Sequence, residues 1–207
     1  MSMLWLVLAA LAQEAPKVDE KAKTVSFPAK SVQLETQPQL KGFIEYVLVN
    51  KGGKEYESLF STEVDPLAVH EGLKKIGVQP GRPGGEDDNG KTLLPTGGKV
   101  RIHVELKDGE TTRKEPIEKF ILDVQTGKTM ESVDWIFTGS KEGFVPELEK
   151  NSLLVLSTKN LIGLLHRDGS TLLTNPVVNK DEHRYKGNPA LLPKAGTAVT
   201  IVFEAVP

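Results

Sequence analysis

Val100, Ile102, Val104 and Leu106 alternate with Arg101, His103, Glu105 and Lys107. A helix would scatter those four apolar side chains around its circumference. A strand puts all of them on one side, so Lys99 to Leu106 must be a strand with one buried face. Asp108-Gly109 follows at once and signals a tight hairpin turn, with a return arm from Thr111 to Arg113. Any fold for this chain has to contain a sheet.

Other stretches extend that sheet. Lys23 to Phe27 and Ser31 to Glu35 read as short strands separated by Pro28, and Phe43 to Val49 as a longer one. Gly52-Gly53 suggests a second hairpin turn, with Glu55 to Thr62 as the antiparallel partner. Apolar residues resume from Ile117 to Val124 and a turn follows at Thr126-Gly127; Val133 to Thr138, Leu153 to Ser157 and Ala198 to Phe203 supply further strands. Asp65-Pro66 opens a helix, because the aspartate can cap free N–H groups and proline fits the first helical position. Val69, Leu73 and Ile76 form its buried stripe, and Gly77 ends it. Asn160 is read as the cap of a short helix from Leu161 to His166. The expected fold class is α+β: a mainly antiparallel sheet built from hairpins, with two or more short helices. Pro80 to Gly98 is a long Pro/Gly-rich loop carrying the acidic patch Glu86-Asp87-Asp88, expected to be mobile or functional.

The N-terminus reads MSMLWLVLAALAQEA. Leu4 to Leu11 is apolar but too short to span a bilayer, and Ala10-Leu11-Ala12 resembles a leader-peptidase site. Residues 1–12 are therefore expected to be a signal peptide, although no Lys or Arg precedes the apolar run. Residues 13–22 are expected to be a flexible segment, and 23–207 a single domain. Localisation would be periplasmic or extracellular. The chain has no cysteine, which removes disulfides, thiol nucleophiles and thiolate metal sites from consideration. A net charge of -2 with both signs interspersed offers no basic face for nucleic acid.

Five short motifs, in order, resemble the YdjY-like domain family of bacterial proteins. They are G-G-K-x-Y-E-S (Gly52 to Ser58) and V-H-x-x-L-x-x-x-G-x-x-P-G (Val69 to Gly81), then G-x-x-V-R-I-x-V (Gly97 to Val104). T-G-K-x-M leading to D-W-I-F-T-G-S (Asp134 to Ser140) follows, and N-P-A-x-x-P-x-x-G-T-x-V (Asn188 to Val199) closes the set. Tyr56 stands where that family often has His. The resemblance implies an exported bacterial protein and implies no reaction.

The candidate site residues are Tyr56, Glu57, Ser58 and His70. In the expected hairpin, Glu57 is a carboxylate on an otherwise apolar face, costly unless paired or protonated. A one-residue slip would move it beside Glu45 instead. The simpler account is a carboxylate tied to backbone N–H groups or an arginine, fixing the sheet to the next helix. His70 borders the buried helix stripe, where a boundary histidine making one hydrogen bond is the plain alternative to a functional one. Ser140 lacks a G-x-S-x-G elbow, and no H-E-x-x-H spacing exists. Gly81 to Gly85, G-R-P-G-G, is glycine-rich, but the acidic patch after it argues against phosphate. Trp135 and Phe137 should share one sheet face.

The leading expectation is an exported, noncatalytic domain, binding a protein partner or a small ligand as an accessory subunit without a cofactor. Its contacts would lie near Tyr56, Glu57, His70 and the 80–98 loop. The alternative is a metal-dependent hydrolase holding a divalent cation through Glu57, His70 and His103.

Overall fold

The computed structural model describes residues 15–32, 41–166 and 169–207. The expected signal peptide and the distal part of the expected Ser31 to Glu35 strand lie outside the described residues. In chain order the first strands are β1 (Lys17–Asp19), β2 (Thr24–Ser31), β3 (Tyr46–Asn50) and β4 (Ser58–Thr62). Helix α1 (Pro66–Lys75) follows, then the small hairpin β5 (Gly85–Glu86) and β6 (Thr92–Leu93). The long hairpin is β7 (Lys99–Asp108) and β8 (Thr111–Pro116). Next come β9 (Ile121–Asp123), β10 (Lys128–Thr129), β11 (Trp135–Phe137), β12 (Glu142–Val145) and β13 (Lys150–Leu153). A single turn, α2 (Val155–Thr158), precedes β14 (Asn160–Gly163), β15 (Leu173–Thr174), β16 (Tyr185–Gly187) and β17 (Ala198–Ala205).

The fold is mostly β, and its main sheet closes into a barrel of eight strands; the α+β expectation is wrong. The strand order is β2-β17-β7-β11-β15-β14-β3-β4, and β4 returns to β2 through Lys30↔Ser61 and Ser31↔Phe60. β1 and β8 lengthen the sheet beside β2 and β7. Closure removes free edges from the eight strands and buries their inner side chains. Phe27 and Phe203 meet edge to face at 5.3 Å, and both are buried.

Three local readings change with the fold class. First, β3 and β4 pair in parallel, with Tyr46 opposite Ser58 and Leu48 opposite Phe60, so no hairpin exists at Gly52-Gly53. A 3-10 turn, Glu55–Glu57, carries the chain back to the start of β3 instead. Both strands are buried at every position, and the alternation that would mark a hairpin facing solvent is absent. Second, Leu161 to His166 is not a helix. Asn160–Gly163 is a strand between β3 and β15, and an apolar run buried on both sides has no period to separate helix from strand. Third, Leu153 ends β13, and Val155–Thr158 is the α2 turn rather than strand.

Local signals succeeded where their chemistry is local. Asp65 accepts from the Leu67 amide at 3.0 Å and Pro66 opens α1, whose Val69 and Leu73 are buried. β7 buries Val100, Ile102, Val104 and Leu106, and its hairpin pairs Asp108 with Thr111. Lys17–Asp19, inside the stretch expected to be flexible, pairs with β2. Among the described residues no helix is long and apolar enough to cross a membrane.

Candidate functional site

Each residue singled out in the sequence has a defined place. Tyr56 and Glu57 lie in the 3-10 turn before β4, so neither register considered for Glu57 is the real one. The Glu57 carboxylate is buried and sits 2.7 Å from the Lys54 ammonium, which also reaches Glu45 at 3.2 Å. Burial pulls the Lys54 ammonium down, but Glu57 and Glu45 outweigh it and hold the group above its usual value. Ser58 is fully buried and donates its hydroxyl to the Lys54 carbonyl at 2.8 Å. This cluster ties the returning turn to β3.

His70 lies elsewhere, with Nδ1 3.1 Å from Glu71 and its ring edge against Phe137 at 5.2 Å. His103 is on β7, with Nδ1 3.8 Å from Glu204. It lines a cleft of about 440 Å³ with Arg101, Glu118 and Asp134. Burial holds His103 below its ordinary value, helped by Lys114. Glu57, His70 and His103 keep separate partners. Among the described residues no three His, Asp or Glu side chains gather as a metal would require. Ser140 accepts from the Val155 amide at 3.1 Å and so fixes the start of α2.

Three of the five motifs behind the family resemblance meet at one point. The Gly81 amide donates to the Phe137 carbonyl at 3.0 Å, and the Gly98 amide to Gln79 at 2.8 Å. A Cβ on Gly81 would stand 2.0 Å from the Thr96 carbonyl oxygen, and one on Gly97 2.0 Å from that of Phe137. Backbones this close admit only glycine. The ring of His70 packs on the same Phe137. This knot anchors both ends of the 80–98 segment, which is an ordered hairpin: β5 pairs β6, and Asp87 accepts from the amides of Asn89 and Lys91. The knot also sends out two cations. Arg82 follows Gly81 directly, and Lys141 follows the Thr138-Gly139-Ser140 turn.

Those cations border a cavity of about 670 Å³ beneath the β5–β6 hairpin. Arg82, Pro83, Gly84 and Leu93 form the hairpin side; Lys141, His166 and Lys180 form the barrel side. Lys180 is ion-paired with Glu86, which joins the hairpin to the loop after β15. His166, expected at the end of a helix, is buried just beyond β14. Its Nδ1 accepts from the Asn179 amide at 3.2 Å, so Nε2 carries the proton and donates to the Asn175 carbonyl at 2.6 Å. Burial holds His166 below its ordinary value, opposed by the Asn175 carbonyl. Gly84 rests on the imidazole edge: a Cβ there would lie 2.8 Å from His166 Cδ2.

The sequence drew attention to G-R-P-G-G but not to Arg82 as a cavity-lining cation, and it did not single out Lys141, His166 or Lys180 for this cavity. Their positions depend on pairings between distant segments, and no spacing encodes those. The one available signal was the coincidence of Arg82 and Lys141 with the ends of two family motifs.

A closed, mixed β-barrel carrying a small hairpin over a cation-lined cavity is the class of domain defined here. The YdjY domain matches residues 17–204, and the chain belongs to that family. It is 27% identical over 158 residues to "Uncharacterized protein YdjY" of Escherichia coli (strain K12), a match covering 76% of this chain and 65% of that protein. The chain thus spans slightly less than two thirds of that relative's length. No solved structure matches the chain.

Proposed function

We propose that this chain is an exported, noncatalytic binding domain that takes a small ligand in the cavity under the β5–β6 hairpin. The observation that carries this reading is the cavity itself. At about 670 Å³ it falls in the range of small-molecule sites, and it lies between a rigid barrel and a hairpin fastened at its base. The imidazole at its floor supports a noncatalytic role, because both ring nitrogens of His166 are engaged by backbone groups. The N-terminal leader-like run and its Ala10-Leu11-Ala12 sequence support export.

A fragment screen by protein NMR tests the site. Bound fragments should shift the amides of Arg82, Gly84, Leu93 and His166 together. Shifts gathering instead on Arg101, His103 and Asp134 would transfer the function to the other cleft. N-terminal sequencing of the exported chain tests the leader: the mature protein should begin at Gln13.

A further inference from the structure

Resting on that reading of the cavity, we infer that its ligand is a small organic anion with an apolar body, its charged end held between Arg82 and Lys141. Three cations border the cavity, and only one of them is neutralised. Lys180 has Glu86 as its partner. Among the described residues no carboxylate lies within ion-pair distance of Arg82 or Lys141, although the chain carries 28 acidic residues against 26 basic ones. With Glu86 paired to Lys180, Arg82 and Lys141 give the described lining of the cavity a surplus of positive charge and hence a positive field.

The acidic patch does not cancel this field. Glu86 is paired with Lys180, Asp87 accepts from the Asn89 and Lys91 amides of its own loop, and neither Asp87 nor Asp88 lines the cavity. The sequence-based objection to an anion beside G-R-P-G-G therefore fails in three dimensions. The backbone of both cationic residues is held in place. Arg82 is bonded through its backbone to Thr96 in both directions. Lys141 donates its amide to Gly169 and accepts from Leu154, and its stem lies over Gly169, where a Cβ would come within 2.5 Å of Cε. Arginine offers a planar fork to a carboxylate or phosphate, and lysine a point charge. Pro83 and Leu93 complete the lining with apolar surface, so an anion bearing a short aliphatic or cyclic body fits better than a bare inorganic ion.

Isothermal titration calorimetry of the mature chain with hexanoate, hexyl phosphate and 1-hexanol separates the possibilities. Both anions should bind one per chain, about tenfold or more tighter than the alcohol, and weaken as salt is raised. Whichever anion binds tighter identifies the head group as carboxylate or phosphate. Arg82→Gln and Lys141→Gln should each weaken the anions about tenfold and leave the alcohol unchanged, with Lys107→Gln, on the distant β7–β8 hairpin, as the control. Equal binding of alcohol and anions, unaffected by the two substitutions, would overturn the anion assignment and leave the cavity reading standing. No binding by any probe, with thermal unfolding unchanged, would overturn both.

Discussion

The indole N–H of Trp135 donates to the Glu118 carboxylate at 2.6 Å, and both side chains are buried. The Glu118 carboxylate also accepts from its own amide and from that of Val133. This acid clamps the 3-10 turn Ile117–Phe120 to β11. Replacing Glu118 by Ala leaves the indole donor buried without its acceptor, which should destabilise the domain by about 1–3 kcal/mol in urea unfolding. Glu118→Gln keeps an acceptor and should lose less. Equal stability of Glu118→Ala and the parent would remove the clamp from this account.

The same carboxyl group gives stability a pH dependence. Burial raises the Glu118 pKa above its ordinary 4.5, despite the donors from its own amide, Trp135 and Val133. A group with a raised folded pKa stabilises fully below its unfolded value and loses that contribution as pH rises through the folded one. His166 acts in the opposite sense. Its folded pKa lies below the ordinary 6.5, so its contribution is complete above 6.5 and lost as pH falls below it. His103, also held low first by burial, adds to the His166 slope. Chemical unfolding as a function of pH should therefore show the two histidines' loss of stability as pH drops below 6.5, opposed by the Glu118 gain over the same fall. His166→Gln should flatten this slope without abolishing it.

Two glycines with positive φ should respond very differently to alanine. Gly109 (φ 60) tops the β7–β8 hairpin with nothing within 4 Å of a Cβ, so Gly109→Ala should cost only about 1–2 kcal/mol. A Cβ on Gly97 (φ 143) would stand 2.0 Å from the Phe137 carbonyl oxygen, so Gly97→Ala should cost about 3 kcal/mol or more. Urea midpoints of the two variants check the ranking, and similar midpoints would contradict the knot.

The Lys180–Glu86 pair is solvent-exposed and should contribute only about 0–1 kcal/mol to global stability. Its effect should be local. Lys180→Ala should speed amide exchange in Gly85 to Leu93 while leaving the β7 and β17 amides protected. Uniform acceleration across the barrel would mean that the pair holds more than the hairpin.

What could be read in the sequence divides by range. α1 was legible because Asp65, Pro66 and the Val69 and Leu73 stripe act within one helix, and the β7–β8 hairpin because a period of two and a glycine turn act between neighbours. The β3–β4 pairing was not legible, since the Gly52-Gly53 signal fits an antiparallel hairpin and both strands, buried throughout, carry no pattern that tells parallel from antiparallel. Leu161 to Gly163 misled because complete burial erases periodicity. At Glu57 itself the carboxylate is paired with the Lys54 ammonium. A carboxylate tied to backbone N–H groups does exist, at Glu118, where its indole donor is brought in by strand pairing rather than by sequence spacing.

β17 is inserted between β2 and β7, pairing Thr200 with both Pro28 and Glu105. Until residues 198–205 have emerged from the ribosome, neither neighbour has its partner on that side and the cylinder stays open. Long-range pairing of this kind folds late and slowly. Under the export proposed above, this delay is useful: the growing polypeptide reaches the translocation machinery before it can lock into a shape too wide to be threaded.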